Sequence, residues 1–171
     1  EWAALLNRSD LAGSKLFGSK ELGEIEFERK QTGELFIKGR FWAGHFTYDG
    51  PIIMAGSITS PYFSQDEENK TRITVKHGNF TLLDPLQNNY QVEHGVKIVA
   101  ENGDVIVGNV HGIKELLQDP DGRVGIYVTK EHFTEIIAPK GKIIAGTVRE
   151  TVFLDGDTVV VNNIINNVKV R

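Results

Sequence analysis

From Gly23 onward the chain alternates apolar and polar residues with a period of two, the pattern of strands that bury one face. "EIEFER" alternates at Ile25 and Phe27, and "QTG" follows at 31–33. That is a three-residue turn with glycine in the last place, where a left-handed backbone is needed. It sets Phe27 opposite Ile37 and Arg29 opposite Leu35. The next strand, "ELFIKGRFWAGHFTY", turns at Asp49-Gly50 and returns as "PIIMAGSITS". In that register His45 faces Met54, Ala43 faces Gly56 and Phe41 faces Ile58. One face then carries Leu35, Ile37, Phe41, Ala43, His45, Met54 and Ile58. After a polar loop, Ile73 and Val75 alternate toward His77.

Asn102-Gly103 is the dipeptide that best fits a type I′ hairpin. Pairing Glu101 with Asp104 sets Ala100 against Val105, Ile98 against Val107, Val96 against Asn109 and His94 against His111. All eight lie on one face, since the strand period is two, and Tyr90 and Val92 extend it. Glu93, next to His94, points to the other face. "DPDG" at 119–122 is a further turn, and "EHFTEII" spaces Phe133, Ile136 and Ile137 for one helical turn. The last hairpin centres on Asp155-Gly156 and sets Arg149 against Asn162. If that face is inward, Arg149 and Asn162 form a polar anchor; if outward, Glu150 and Asn163 are inside.

Many strands joined by Asp-Gly and Asn-Gly turns indicate an all-β antiparallel meander. Closing it removes the exposed edges. The expected fold is a closed antiparallel up-and-down β-barrel of about eight strands, residues 23–171; a jelly-roll β-sandwich is the alternative. Residues 1–22, broken by glycines, read as a loosely attached N-terminal arm, with the alternative of a lid that closes the open end through Trp2, Leu11 and Phe17. No repeat of fixed period is evident. "GNFTLL", "GVKIVAENGDVIVGNVHG", "GRVGIYVT" and "GKIIAGTVRE" give Gly78 to Arg171 a strand-turn rhythm that resembles the calycin-type barrels. These are the lipocalins and the allene-oxide-cyclase and dirigent-like barrels. The resemblance implies a small up-and-down barrel. It carries over no functional residue, because the lipocalin Gly-x-Trp and the cyclase-type Gly-Gly-Thr-Gly segment are absent.

A net charge of -4 with no basic stripe argues against a nucleic-acid partner. The absence of cysteine excludes disulfides, thiolate metal sites and cysteine nucleophiles. No apolar stretch is long enough to span a bilayer. Glu1 opens the chain without the basic start of a signal peptide. The sequons at Asn7, Asn69 and Asn79 point weakly the other way, so both a cytoplasmic and a secreted location stay open.

The chemistry centres on histidine. Directly opposed β-carbons lie about 4.5–5.5 Å apart, so His94 and His111 should be neighbours among Ala, Val and Ile. Burial disfavours the charged imidazole, while a neighbour or a ligand tunes it near neutrality. A hydrogen-bonded histidine in the core is the plainer explanation of the same pattern. With no H-x-H spacing and no Walker loop or nucleophile elbow, neither metal nor cofactor is expected. The reading that follows is a barrel binding a small apolar ligand. It is either a cofactor-independent cyclase or isomerase, with His94, His111 and Tyr90 catalytic, or a non-catalytic carrier. Phe41, His45, Met54, Ile98, Val107, Asn109, Arg149 and Asn162 would contact the ligand. A structural or interaction module with a filled core is the third reading, and a homodimer is compatible with each.

Overall fold

The computed structural model describes residues 15–17, 25–41, 45–59, 71–83, 90–118, 121–125, 127–165 and 168–171. Trp2 and Leu11 of the expected arm, and Ala43, lie outside them. Phe17 is described only through its backbone, in β1 (Lys15–Phe17), which pairs antiparallel with β2 (Ile25–Arg29). β2 pairs antiparallel with β3 (Leu35–Gly39), in the register expected across "QTG": Phe27 meets Ile37 and Arg29 meets Leu35. Gly33 takes the left-handed conformation that this turn requires, at φ 100°.

Beyond this hairpin the strands run in short segments around one interior. β4 (His45–Tyr48) completes the first rung. β5 (Ile52–Ala55), β6 (Ile58–Thr59) and β7 (Arg72–Val75) form the second, and β8 (Phe80–Leu82), β9 (Gln91–Glu93) and β10 (Lys97–Ala100) the third. β11 (Val105–Ile106) and β12 (Asn109–His111) lead into the fourth. There β13 (Ile113–Gln118) and β14 (Tyr127–His132) form a separate antiparallel hairpin. The long β15 (Thr134–Arg149) and β16 (Val152–Ile165), with β17 (Val168–Val170), finish the chain.

Each rung hydrogen-bonds to the next in parallel. β3, β5, β8, β11, Lys142–Ile144 of β15 and Thr158–Val160 of β16 make one ladder. β4, β7, β10, the start of β15, the start of β16 and β17 make a second. Phe41, β6, β9, β12 and the ends of β15 and β16 make the third. The expectation of an all-β chain holds, and no helix occurs among the described residues. The antiparallel meander does not hold: the sheet curls around its core as parallel ladders, a β-solenoid. "EHFTEII" is likewise strand. Thr134, Ile136 and Ala138 point inward and Ile137 outward, because the period of two continues through it.

The Gly-containing turns are corners between rungs, not hairpins. β10 and β11 flank Asn102-Gly103 but pair with other strands, and β16 runs through Asp155-Gly156 beside β15. At the first of these corners a β-carbon on Gly103 would stand 2.0 Å from the carbonyl oxygen of Gly78, and one on Gly141 2.2 Å from that of Gly103. Stacking at this spacing admits only glycine. Polar side chains bind the corner rung to rung: Asn79 Oδ1 accepts from the Asp104 N–H at 2.8 Å, and Asp104 Oδ1 from that of Lys142 at 2.8 Å.

The interior is built from stacked positions. Leu35, Ile52, Phe80, Val105 and Ile143 form one column, Phe46, Ile73, Ile98, Ile136 and Leu154 another, and Phe41, Ile58, Val92, Val110 and Val148 a third. All of them are buried. Fully burying such a side chain contributes about 1.5–3 kcal/mol relative to exposure. Phe27 closes the start of the stack, its ring 6.0 Å from that of Phe46. In the last rung Ile164 and Val170 continue two of the columns with about half their surface exposed.

Candidate functional site: an outward Glu-His-His corner

The third ladder ends in a polar corner. Val92 and Val110 point inward and meet in register. The next residue on each strand therefore points out, which puts Glu93 of β9 beside His111 of β12. Alternation then fails on one strand. His94 has a left-handed backbone, φ 61°, and Gly95 after it φ 91°. This turn swings the His94 side chain to the side of Glu93.

The two histidines do meet, with ring centroids 5.3 Å apart and planes at 75°. They meet across parallel rungs, not across a hairpin, and Glu93 lies between them. Its Oε2 is 2.9 Å from His111 Nε2 and 3.7 Å from His94 Nε2. Gln91 Oε1 stands 2.5 Å from His111 Nε2, and Thr59 Oγ1 3.4 Å from His94 Nδ1. The backbone holds the corner firmly. The His111 carbonyl accepts from the His94 N–H at 3.1 Å and from Thr134 Oγ1 at 2.7 Å. Thr134 Oγ1 in turn accepts from the Gly95 N–H at 3.0 Å. Side-chain exposure is 12% for His111, 18% for Glu93 and 28% for His94, so the groups are sheltered yet reachable.

The hydrogen bond to His111 lowers the Glu93 carboxyl below its ordinary range, against the opposing effect of burial; His94, His111 and Arg40 add in the same direction. Burial lowers His94, with Glu93 partly offsetting it. At neutral pH Glu93 is thus ionised and His94 neutral, and the 3.7 Å contact between them is not an ion pair.

The remaining expected site residues scatter. Phe41, Met54, Ile98 and Val107 are packed in the core. Tyr90 is half-buried against that core. His45 is exposed and pairs with Arg72 in the second ladder, not with Met54. His77, past the end of β7, is exposed as well. Asn109 points out, and its Oδ1 accepts from the Thr147 N–H at 3.4 Å. Arg149 is exposed one rung beyond His111, in register with it and with Ile165. Asn162 is exposed and does not oppose Arg149. Glu93, Gln91 and Thr59 are the residues that strand parity missed. The local signal was the His94-Gly95 dipeptide, a left-handed turn that breaks alternation.

The chain matches no protein-family model, no curated protein and no solved structure. Among the described residues no helix is long and apolar enough to cross a membrane.

Proposed function

We propose that the protein binds a small molecule at the corner formed by Thr59, Gln91, Glu93, His94 and His111. The observation that carries this reading is the convergence of a carboxylate and two imidazoles on one sheltered point, with all three donor atoms within 4.8 Å of one another. The ligand is a small molecule with polar groups to match, since the apolar side chains first expected around it are packed in the core. In the catalytic form of this reading, the hydrogen-bonded Glu93–His111 pair moves a proton on a bound substrate in an isomerisation. In the carrier form, the same groups only hold it.

The test is native mass spectrometry of the full chain, treated with a chelator and incubated with a small-metabolite extract. The wild type should carry a non-covalent adduct that the His94→Ala/His111→Ala variant lacks. A wild type without any adduct contradicts the reading. The stacked, filled interior would then favour the second one, a structural module that presents its outer faces to a partner.

A further inference from the structure

Both histidines of the corner turn Nδ1 toward an oxygen other than that of Glu93. Nδ1 of His111 lies 3.3 Å from the Gly112 carbonyl oxygen, and Nδ1 of His94 lies 3.4 Å from Thr59 Oγ1. A peptide carbonyl only accepts, so the Gly112 contact calls for a proton on Nδ1 of His111. The Thr59 hydroxyl can accept from Nδ1 of His94 in the same way. Each ring then presents Nε2 to Glu93, as a donor where it carries a proton and as a ligand where it does not. Both Nε2 atoms face Glu93 Oε2, at 2.9 and 3.7 Å, and that of His111 also faces Gln91 Oε1 at 2.5 Å. Oxygen acceptors at these distances call for a positive centre at Nε2, either the proton by which His111 donates to Glu93 or a cation in its place. A proton on Nε2 relieves His111 alone. A cation relieves both histidines and Glu93 together.

We propose that Glu93 Oε2, His94 Nε2 and His111 Nε2 bind a divalent first-row transition-metal ion, zinc being the simplest case. Donors about 2.0–2.1 Å from one ion, at angles of 90–110°, lie about 2.8–3.4 Å apart; the observed 2.9 Å falls in that range and the observed 3.7 Å just beyond it. Two imidazoles with one carboxylate suit zinc or iron better than the all-oxygen ions calcium and magnesium. Gly112 O and Thr59 Oγ1 stand where outer partners orient ligating histidines and fix their tautomers. The scaffold is already arranged. Glu93 and His111 are neighbours in the ladder, and the His94 N–H is tied to the His111 carbonyl. Three protein ligands leave a position open to solvent. The inference thus deepens the small-molecule reading and rests on it for the site's use: the small molecule would bind beside the ion, which adds to its contacts with Thr59 and Gln91 without replacing them. It departs from the expectation that no metal is needed, which rested on the missing H-x-H spacing. Parallel stacking assembles the ligands from two rungs without that spacing.

Isothermal titration of the full chain with zinc chloride alone tests this. The expected result is one ion per chain. Affinity should fall at least about tenfold in each of Glu93→Gln, His94→Ala and His111→Ala, the scale on which even outer-sphere losses are felt. His45→Ala and His77→Ala, exposed elsewhere, should titrate like wild type. Far-UV circular dichroism shows which variants are folded, and the nearly isosteric Glu93→Gln decides if a histidine variant is not. Absence of one-to-one binding overturns the proposal. So does binding that survives in Glu93→Gln, or that is lost equally in His45→Ala and His77→Ala. A small-molecule adduct on chelated protein together with no zinc binding overturns the metal alone. Zinc binding with no adduct keeps the metal and removes the small-molecule reading.

Discussion

Replacing Gly56 by alanine should destabilise the protein by about 4 kcal/mol or more, at the top of the range for single substitutions. A β-carbon there would stand 1.7 Å from the carbonyl oxygen of Gly39 and 2.5 Å from its carbonyl carbon. Both are backbone atoms of the rung before, so no side chain can swing away to relieve the contact. The left-handed backbone at Gly56, φ 153°, adds strain for any other residue. For a domain of this size about 4 kcal/mol lowers the melting temperature by roughly 8–16 °C. Differential scanning calorimetry reads it directly. A loss below about 1 kcal/mol, well within the ordinary run of substitutions, would show that the two rungs do not stack at this corner.

The second large effect belongs to the interior. Phe80 is fully buried, in register with Ile52 on one side and Val105 on the other. Phe80→Ala should cost about 3–5 kcal/mol, as truncation of a packed aromatic does. Thr81→Ala, next in sequence but half-buried on the outer side, should cost far less. Urea denaturation measures both. The contrast separates a filled core from a ligand cavity: a ring that lined a solvent-filled space would lose few contacts on truncation. Nearly equal costs for the two variants would contradict the stacked core.

Much of the apolar interior was legible in the sequence, although His45 and His77, given the same parity, are exposed; which strand each residue neighbours was not legible. Leu35, Ile37, Phe41, Met54 and Ile58 were all placed inside by alternation, and all are buried. Alternation has the same period in parallel and antiparallel sheets, so it says nothing about partners. The turn dipeptides are equally ambiguous. Asn102-Gly103 reverses a hairpin or rounds a solenoid corner, and the choice depends on ladders formed with residues far along the chain. The repeat that would have revealed stacking is hidden by unequal rungs. β13 and β14 are inserted between β12 and β15, so the corner glycines Gly50, Gly78, Gly103 and Gly141 recur at uneven intervals.

The site was half legible for a related reason. His94 and His111 were paired by a hairpin register that the chain does not adopt, yet the two rings are neighbours. Parity placed Glu93 on the face opposite His94, and the left-handed turn at His94 and Gly95 cancels that separation. Parity also carried Asn109 and His111 inward, whereas the corner at Gly108 resets it. Val107 and Val110 both face the core, which leaves His111 outside with Glu93.

Parallel stacking of β9 on β12 brings Glu93, His94 and His111 together, and disulfide trapping tests it most directly. The chain has no cysteine of its own. Gln91 and Asn109 are register partners on the outer side of this ladder. Neighbouring strands lie about 4.8 Å apart, within the Cα separation of about 4.4–6.8 Å that a disulfide spans. In an antiparallel hairpin about Asn102-Gly103, Asn109 would instead oppose Val96. The double variant Gln91→Cys/Asn109→Cys should therefore oxidise to an intramolecular crosslink, seen as a loss of free thiol by mass spectrometry, and Val96→Cys/Asn109→Cys should stay reduced. Crosslinking of the second pair and not the first would contradict the parallel rungs and the site they assemble.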